Sequence, residues 1–335
     1  MNSDTRAALI TGGSSGIGLA TARLAVEAGA NVVLVARSED ALGSVVRALG
    51  DHAAAVTADV ASRESMDDVV AQATIRFGGF DTWVNAAGVD IWGRLVDISE
   101  EDHRRLFETN FWGVVHGSLA AAKHLTERGG TIINVGSIES DRAFPLQGMY
   151  AASKHAVKGF TDALRMELEV SGVPVSLTLV KPGSIGTPLP DHAKTYFRHA
   201  PRLPKPVYRP DEAASAILVA AQRPIRDVYV GGQARLVASL ASLPRFMDRL
   251  TERRFVQPQF ADRASDRFDN LHAGHSEGRE VGQSSGPLAR SWYTRMATSR
   301  RLGPLVAAAA AGTLGLALTR KRNGRLREQL ASRIV

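Results

Sequence analysis

Cysteine is absent from all 335 residues. That excludes a disulfide scaffold, a cysteine-held zinc or iron–sulfur centre and a thiol nucleophile. A thiol-free chain suits a reducing compartment, and the expected location is the cytoplasm. An apolar leader is lacking too: residues 1–6 are mostly polar, and a run suited to a strand begins at Ala7, so no secretory signal is expected. Aromatic residues make up only 6% of the chain and are sparse among the cations of the basic C-terminal third, so no nucleic-acid partner is expected. Long uncharged runs are scarce as well. The one that stands out is 302–319, bounded by Arg300, Arg301 and Arg320, Lys321, Arg322. As a helix it would cover ~27 Å, just under a hydrocarbon core of ~30 Å. Its six alanines and three glycines make its hydrophobicity marginal. It is a candidate for membrane association, with a soluble Ala-rich helix as the alternative.

What is present is ordinary for a globular chain: 44% apolar and 22% charged residues, enough to bury a core. The length suggests about two domains, or one large domain with an extension. Charge divides the chain. Residues 1–239 carry 24 Lys/Arg against 26 Asp/Glu, whereas 240–335 carry 17 against 8. The high isoelectric point therefore belongs to the C-terminal part. Within it, 240–256 reads as an amphipathic basic helix, 257–300 as a polar flexible linker and 301–335 as the basic-flanked apolar segment.

Over 1–239 short apolar runs alternate with longer helical patterns. Runs at 7–11, 31–36, 53–57, 81–85, 131–136, 174–180 and 227–230 are rich in β-branched residues, and several are apolar on both faces. That is how strands of a buried parallel sheet read. Helical periodicity falls at 16–28, 39–49, 62–77, 100–127, 149–171 and 210–222. The expected fold is α/β, a Rossmann-type doubly wound parallel sheet of about seven strands with a C-terminal helical or flexible extension. Ligands on such sheets bind beyond the carboxyl ends of the strands. The proline-rich segment 184–209 breaks the rhythm and reads as a binding loop.

The motifs fall where that rule places chemistry. Thr11-Gly12-Gly13-Ser14-Ser15-Gly16-Ile17-Gly18 joins the first strand to the first helix. Glycine there lets backbone N–H groups approach a pyrophosphate, and Gly18 allows close helix–strand packing. The second strand ends in Ala36-Arg37, where a carboxylate would bind a ribose 2′-OH. A guanidinium suits a 2′-phosphate instead, which favours NADP(H) over NAD(H). Asp59-Val60 could reach an adenine amino group, although an Asp after a strand often caps a helix. Small residues at Asn85-Ala86-Ala87-Gly88 let a cofactor lie against the chain, and the Asn85 amide can tie neighbouring strands together.

Ser137, Tyr150 and Lys154 are the most specific set. Tyr150 and Lys154 lie four apart in a helical pattern and so share a face. Ketone reduction by hydride needs a proton donor at the developing alkoxide. A nearby ammonium can lower a phenol pKa from its usual ~10, and Ser137 can hydrogen-bond the substrate oxygen. His272 and His275 have metal-like spacing but no carboxylate or cysteine neighbours in sequence, and no metal site is expected.

Together these residues resemble the short-chain dehydrogenase/reductase family over about residues 5–235. The likeness rests on Thr11 to Gly18, Asp59, Asn85 to Gly88, Asn110, Ser137, Tyr150 to Lys154 and Pro182-Gly183 through Thr187. It implies that Asn110 supports a water relay to Lys154, that Lys154 also binds the nicotinamide ribose and that Thr187 contacts the carboxamide. It implies a homodimer or homotetramer, and it leaves 240–335 without a role. The function expected is NADP(H)-dependent interconversion of a carbonyl and an alcohol. Val89, Trp92, Phe144, Leu146 and the 188–209 loop would form an apolar substrate face, suited to a lipid-, steroid- or terpenoid-like molecule. The alternative is a cofactor-sensing protein that uses the fold without turnover.

Overall fold

The computed structural model describes residues 6–241, 243–245, 248–249, 251, 259–265, 268–275 and 278–299. Seven strands form one parallel sheet: β1 (Ala7–Thr11), β2 (Asn31–Ala36), β3 (Ala53–Thr57), β4 (Thr82–Asn85), β6 (Gly130–Val135), β7 (Val175–Pro182) and β10 (Asp227–Val230). Their spatial order is β10-β7-β6-β4-β1-β2-β3. Alternation along each strand feeds two separate cores. Ile10, Val32 and Leu34 point to one face, where α1 (Gly16–Glu27), α2 (Glu39–Leu49) and α8 (Pro210–Gln222) supply Leu19, Leu42, Ala216 and Ile217. Leu9, Val33 and Val35 point to the other, against α3 (Arg63–Phe77), α5 (Gly113–Leu125) and α6 (Gly148–Val170), which bring Met66, Val69, Leu125 and Leu164. Because both faces are covered, β2 is apolar at every central position, the pattern of a buried parallel strand.

The seven expected strands are all present in this sheet. The 100–127 helix is not continuous: α4 (Glu100–Phe107) passes through a π-helical turn (Glu108–Trp112) into α5. Such turns widen a helix by one residue and often sit at functional sites. This one carries Asn110. The proline-rich loop holds a short α7 (Leu189–His192), β8 (Lys194–Thr195) and β9 (His199–Pro201), and β8 pairs with β5 (Ile91–Trp92).

The linker expected over 257–300 is corrected by the described residues there. β11 (Phe260–Ala264) pairs antiparallel with β9. Ala289 N–H bonds to Val207 O at 2.7 Å. A further helix, α10 (Trp292–Thr298), follows α9 (Gly232–Leu240) in the chain and packs on α8 and β10. Glu280 and Asp211 close on Arg23 at 2.7 and 2.5 Å. Polar composition concealed this because the segment docks through backbone bonds, ion pairs and a few buried anchors such as Leu271 and Thr294. Most of 240–256 and all of 301–335 lie outside the described residues. Among the described residues no helix is long and apolar enough to cross a membrane.

Candidate active site

The strand order places the carboxyl ends of β1 and β4 side by side, with the chain leaving them to opposite sides of the sheet. That is where a crevice opens in a doubly wound fold. Gly12 turns the chain at φ +67°, and a Cβ on it would meet Ala87 backbone at 2.8 Å. Only a bare backbone lets the turn press against the Ala86–Ala87 strand exit. Ser15 precedes α1 without a side-chain cap, so the first turn of that helix, apart from Gly16 whose N–H is taken by Arg279 O, can offer N–H groups to an anion. Gly12, Ser15, Gly16, Ile17, Ala86, Gly88, Pro182, Gly183 and Thr187 line one cleft with Ser137, Tyr150 and Lys154. Ser14, Arg37 and Val60 line its continuation, which shares Gly12, Ser15 and Gly88. A glycine-floored groove leading from an uncapped helix terminus to Tyr150 fits an extended dinucleotide.

Three of the expected cofactor residues also engage neighbours in the chain. Gly18 packs under the turn, where an added Cβ would lie 2.2 Å from Gly12 O. Asn85 is buried away from the cleft. Its amide donates to Asn134 Oδ1 at 2.8 Å and Ser118 Oγ at 3.0 Å, and its oxygen accepts from Trp83 Nε1 at 2.7 Å. This ties β4 to β6, as its amide allowed. Asp59 is paired with Arg105 at 2.5 Å and accepts Ala61 N–H, so its oxygens are engaged beside the groove.

Lys154 Nζ donates to Val135 O at 3.0 Å and lies 5.5 Å from the Tyr150 ring centre. Ser137 is within hydrogen-bonding reach of the Tyr150 phenol. Asn110 is fully buried behind them. Its amide bonds both Val89 N–H and Val89 O at 2.9 Å, and its oxygen sits beside Gly88 with Lys154 Nζ.

The electrostatics correct one expectation. Burial, then the charges of Asp90 and Glu139, push Tyr150 above its ordinary pKa, with Ser137 opposing. Lys154 is itself lowered by burial to about 8 against the pull of the same carboxyls. Tyr150 is therefore held protonated, chiefly because burial disfavours a phenolate.

Asp90 and Glu139 were not singled out as site residues. Each follows a motif by two residues, Gly88 in one case and Ser137 in the other. Their convergence depends on β4 and β6 being neighbours in register, Asn85 opposite Asn134. Burial raises Asp90 to about 8, against hydrogen bonds from Gln147 and Ile91, and raises Glu139 well above its usual range. Both carboxyls then bind protons in the folded chain at pH values where the unfolded chain has lost them. Stability is expected to fall as pH rises from about 5 towards 8. Asp90→Asn should flatten that fall in a series of thermal melts; parallel curves for the two proteins would refute it.

The substrate face is only partly as expected. Trp92, Phe144, Leu189 and Leu203 line the cleft, together with Gln147, His192, Gln259 and Asn270. Val89 lines the continuation. Leu146 is not among the lining residues; at φ +73° it gives its carbonyl to Gly93 N–H. The C-terminal segment also reaches the groove, which composition did not signal. Arg37 donates to Leu271 O at 3.1 Å and to Asn270 O, while Arg105 Nε reaches the same Leu271 O at 3.2 Å. Gly16 N–H bonds Arg279 O at 3.0 Å. His272 meets Asp102 at 2.8 Å, whereas His275 stacks on His192 at 3.8 Å.

A doubly wound sheet with a glycine turn, and a Ser–Tyr–Lys set at its mouth, defines a nucleotide-dependent oxidoreductase of the Rossmann type. The family model for short chain dehydrogenases matches residues 6–195, and the chain belongs to the short-chain dehydrogenase/reductase family. It is 44% identical over 319 residues to the uncharacterized oxidoreductase YxnA of Bacillus subtilis, covering 91% of this chain and 88% of that one. Two solved structures are similar to it. An alcohol dehydrogenase from Thermococcus sibiricus, complexed with 5-hydroxy-NADP, is 27% identical with a TM-score of 0.60, covering 68% of this chain and 96% of that one. A family member from Burkholderia phymatum, in complex with NAD, is 25% identical with a TM-score of 0.65, covering 79% and 100%.

Proposed function

We propose that this oxidoreductase interconverts a ketone or aldehyde and an alcohol, with NADP(H) preferred over NAD(H). The carrying observation is that Ser137, Tyr150 and Lys154 share one cleft with the Gly12–Ile17 turn. Reduction adds a hydride to the carbonyl carbon and a proton to its oxygen. A bound nicotinamide supplies or removes the hydride. Ser137 orients the carbonyl oxygen, and Tyr150 Oη gives up its proton as the alkoxide forms. Lys154 keeps a positive charge beside the tyrosine and is fixed through Val135 O. Asn110 holds the Val89 backbone beside Lys154, and the water relay inferred from the family would run there. Thr187, beside Gly16, would contact the carboxamide, as the family likeness implies, and Val60 and Ala86 wall the groove.

The cofactor preference rests on Arg37. β2 ends without a carboxylate, and Arg105 brings a second guanidinium to the same carbonyl. Arg37 has five N–H donors, so bonds to Asn270 and Leu271 leave others for a 2′-phosphate. Arg37→Ala is expected to raise KM for NADPH roughly 10- to 100-fold, as loss of a charge-assisted contact does, and KM for NADH far less. Equal effects on both would end the 2′-phosphate reading.

The skeleton of the substrate is apolar, to suit Trp92, Phe144 and Leu189. Assembly as a homodimer or homotetramer through α4, α5 and α6 is supported by Trp112, Leu119, Met166 and Val170 standing 48%, 42%, 55% and 89% exposed on this single chain. The cytoplasm is the location read from the composition.

A further inference from the structure

We propose that Glu139, with Asp90 beside it, selects a substrate bearing a second hydroxyl next to the reacting carbon: a vicinal diol or the matching hydroxyketone. The inference rests on the carbonyl–alcohol reading above and names the substrate class for the same cleft. Glu139 is 5% exposed and lines the cleft two residues beyond Ser137. One carboxyl oxygen has a partner in the Phe144 backbone N–H. The other, Oε2, is buried with no hydrogen-bond partner. A buried polar atom left unpaired is costly, and here it borders a cleft that a substrate enters. Asp90 differs: its oxygens already accept Gln147 Nε2 at 2.6 Å and Ile91 N–H at 2.8 Å. It frames the site, while Glu139 holds the open position.

Geometry ties this position to the chemistry. Ser137, which orients the reacting oxygen, gives its Oγ to Glu139 N–H at 3.1 Å. The Glu139 carboxyl also lines the same cleft as Tyr150 and acts on its phenol by charge, so a group bonded to it lies on the side of the cleft where the reacting oxygen is held. The neighbouring substrate carbon is the place for it. A hydroxyl fits better than an ammonium. Burial, and for Glu139 the charge of Asp90 as well, favour protonated carboxyls in this pair, and a hydroxyl can bond a carboxyl in either protonation state, whereas an ammonium demands an ionised one. The apolar wall of Trp92 and Phe144 then faces the rest of the skeleton.

The test compares cyclohexanol, cyclohexane-1,2-diol and 2-aminocyclohexanol as substrates of the full chain with NADP+, followed at the nicotinamide absorbance. Cofactor binding is measured separately by fluorescence. The diol is expected to exceed cyclohexanol in kcat/KM by about tenfold or more, since a site built to bond a hydroxyl penalises an analogue lacking it. Glu139→Met should collapse that ratio towards one, mainly through KM for the diol. Glu139→Gln, which can still bond a hydroxyl, should keep most of it; a merely structural role would not separate the two variants. Equal use of cyclohexanol and diol by the unaltered protein overturns the hydroxyl-selecting role and leaves the redox reading standing, and needs no variant to fold. Preference for the amino alcohol overturns the choice of hydroxyl. Binding of NADP+ without turnover of any of the three counts against the redox reading, and this one with it.

Discussion

Tyr150→Phe is expected to lower turnover by about 10³-fold, within the range that positioned general acids contribute, while NADPH still binds. The substitution removes one oxygen and keeps the ring against which Lys154 Nζ is placed at 5.5 Å. It leaves the glycine turn and the Lys154–Val135 bond in place. On the proposed mechanism the proton would then have to come from another source than the phenol beside Ser137. A direction-dependent effect of pH accompanies this in the unaltered protein. Burial above all keeps Tyr150 protonated, so on the proposed mechanism carbonyl reduction would begin with its donor loaded, whereas alcohol oxidation would need the phenol to lose its proton first. Oxidation is therefore expected to quicken with rising pH more steeply than reduction. Steady-state rates in both directions, with cofactor binding by fluorescence titration, check all of this. A Tyr150→Phe protein of undiminished activity would remove Tyr150 from the proton path, and a cofactor-sensing role without turnover would then be the better reading.

How much of this was legible beforehand varies with the kind of force involved. The sheet was readable because β-branched runs such as 31–36 are apolar on both faces, and few folds bury both. The Gly12–Gly18 turn and the Tyr150–Lys154 spacing are local, so their geometry follows from one loop and one helix. The acid pair is different. Asp90 and Glu139 lie 49 positions apart and meet only because β4 adjoins β6. Asn85 was legible as a strand tie but not as a residue spent wholly on that task, since Ser118 arrives from α5. Least visible was the docking of the described residues between 259 and 299. Periodicity reports apolar faces, and this segment is held by an ion pair to Arg23, by strand pairing with β9 and by carbonyls that satisfy Arg37 and Gly16. Backbone groups bond without a sequence signature. The result is that Arg37 both lines the groove and bonds the C-terminal segment, a pairing that a motif cannot express.

The second large effect is expected at Gly18, and it can be set against a glycine of opposite behaviour. Gly18→Ala would put a Cβ 2.2 Å from Gly12 O and 2.7 Å from Gly12 C. Both are backbone atoms, so no rotamer change relieves the clash; α1 must move away from the turn. Overpacking of this kind costs roughly 1–3 kcal/mol or more. The same movement displaces the helix terminus that would face the pyrophosphate, and misplacement by about 1 Å can cost 10²-fold in function. Gly18→Ala is therefore expected to lower Tm by several degrees and to weaken NADPH binding by at least about tenfold. Gly43 lies within α2, where a Cβ meets only the tip of Arg47 at 3.3 Å. That guanidinium can swing aside, and alanine is favoured over glycine in a helix by about 0.8–1.0 kcal/mol. Gly43→Ala should raise Tm and leave cofactor affinity where it was. Thermal melts and NADPH titrations on the two variants test the contrast, because helix propensity alone would stabilise both. If Gly18→Ala proved as stable and as tight-binding as the unaltered chain, the close approach of α1 to the turn would not be what shapes the dinucleotide groove.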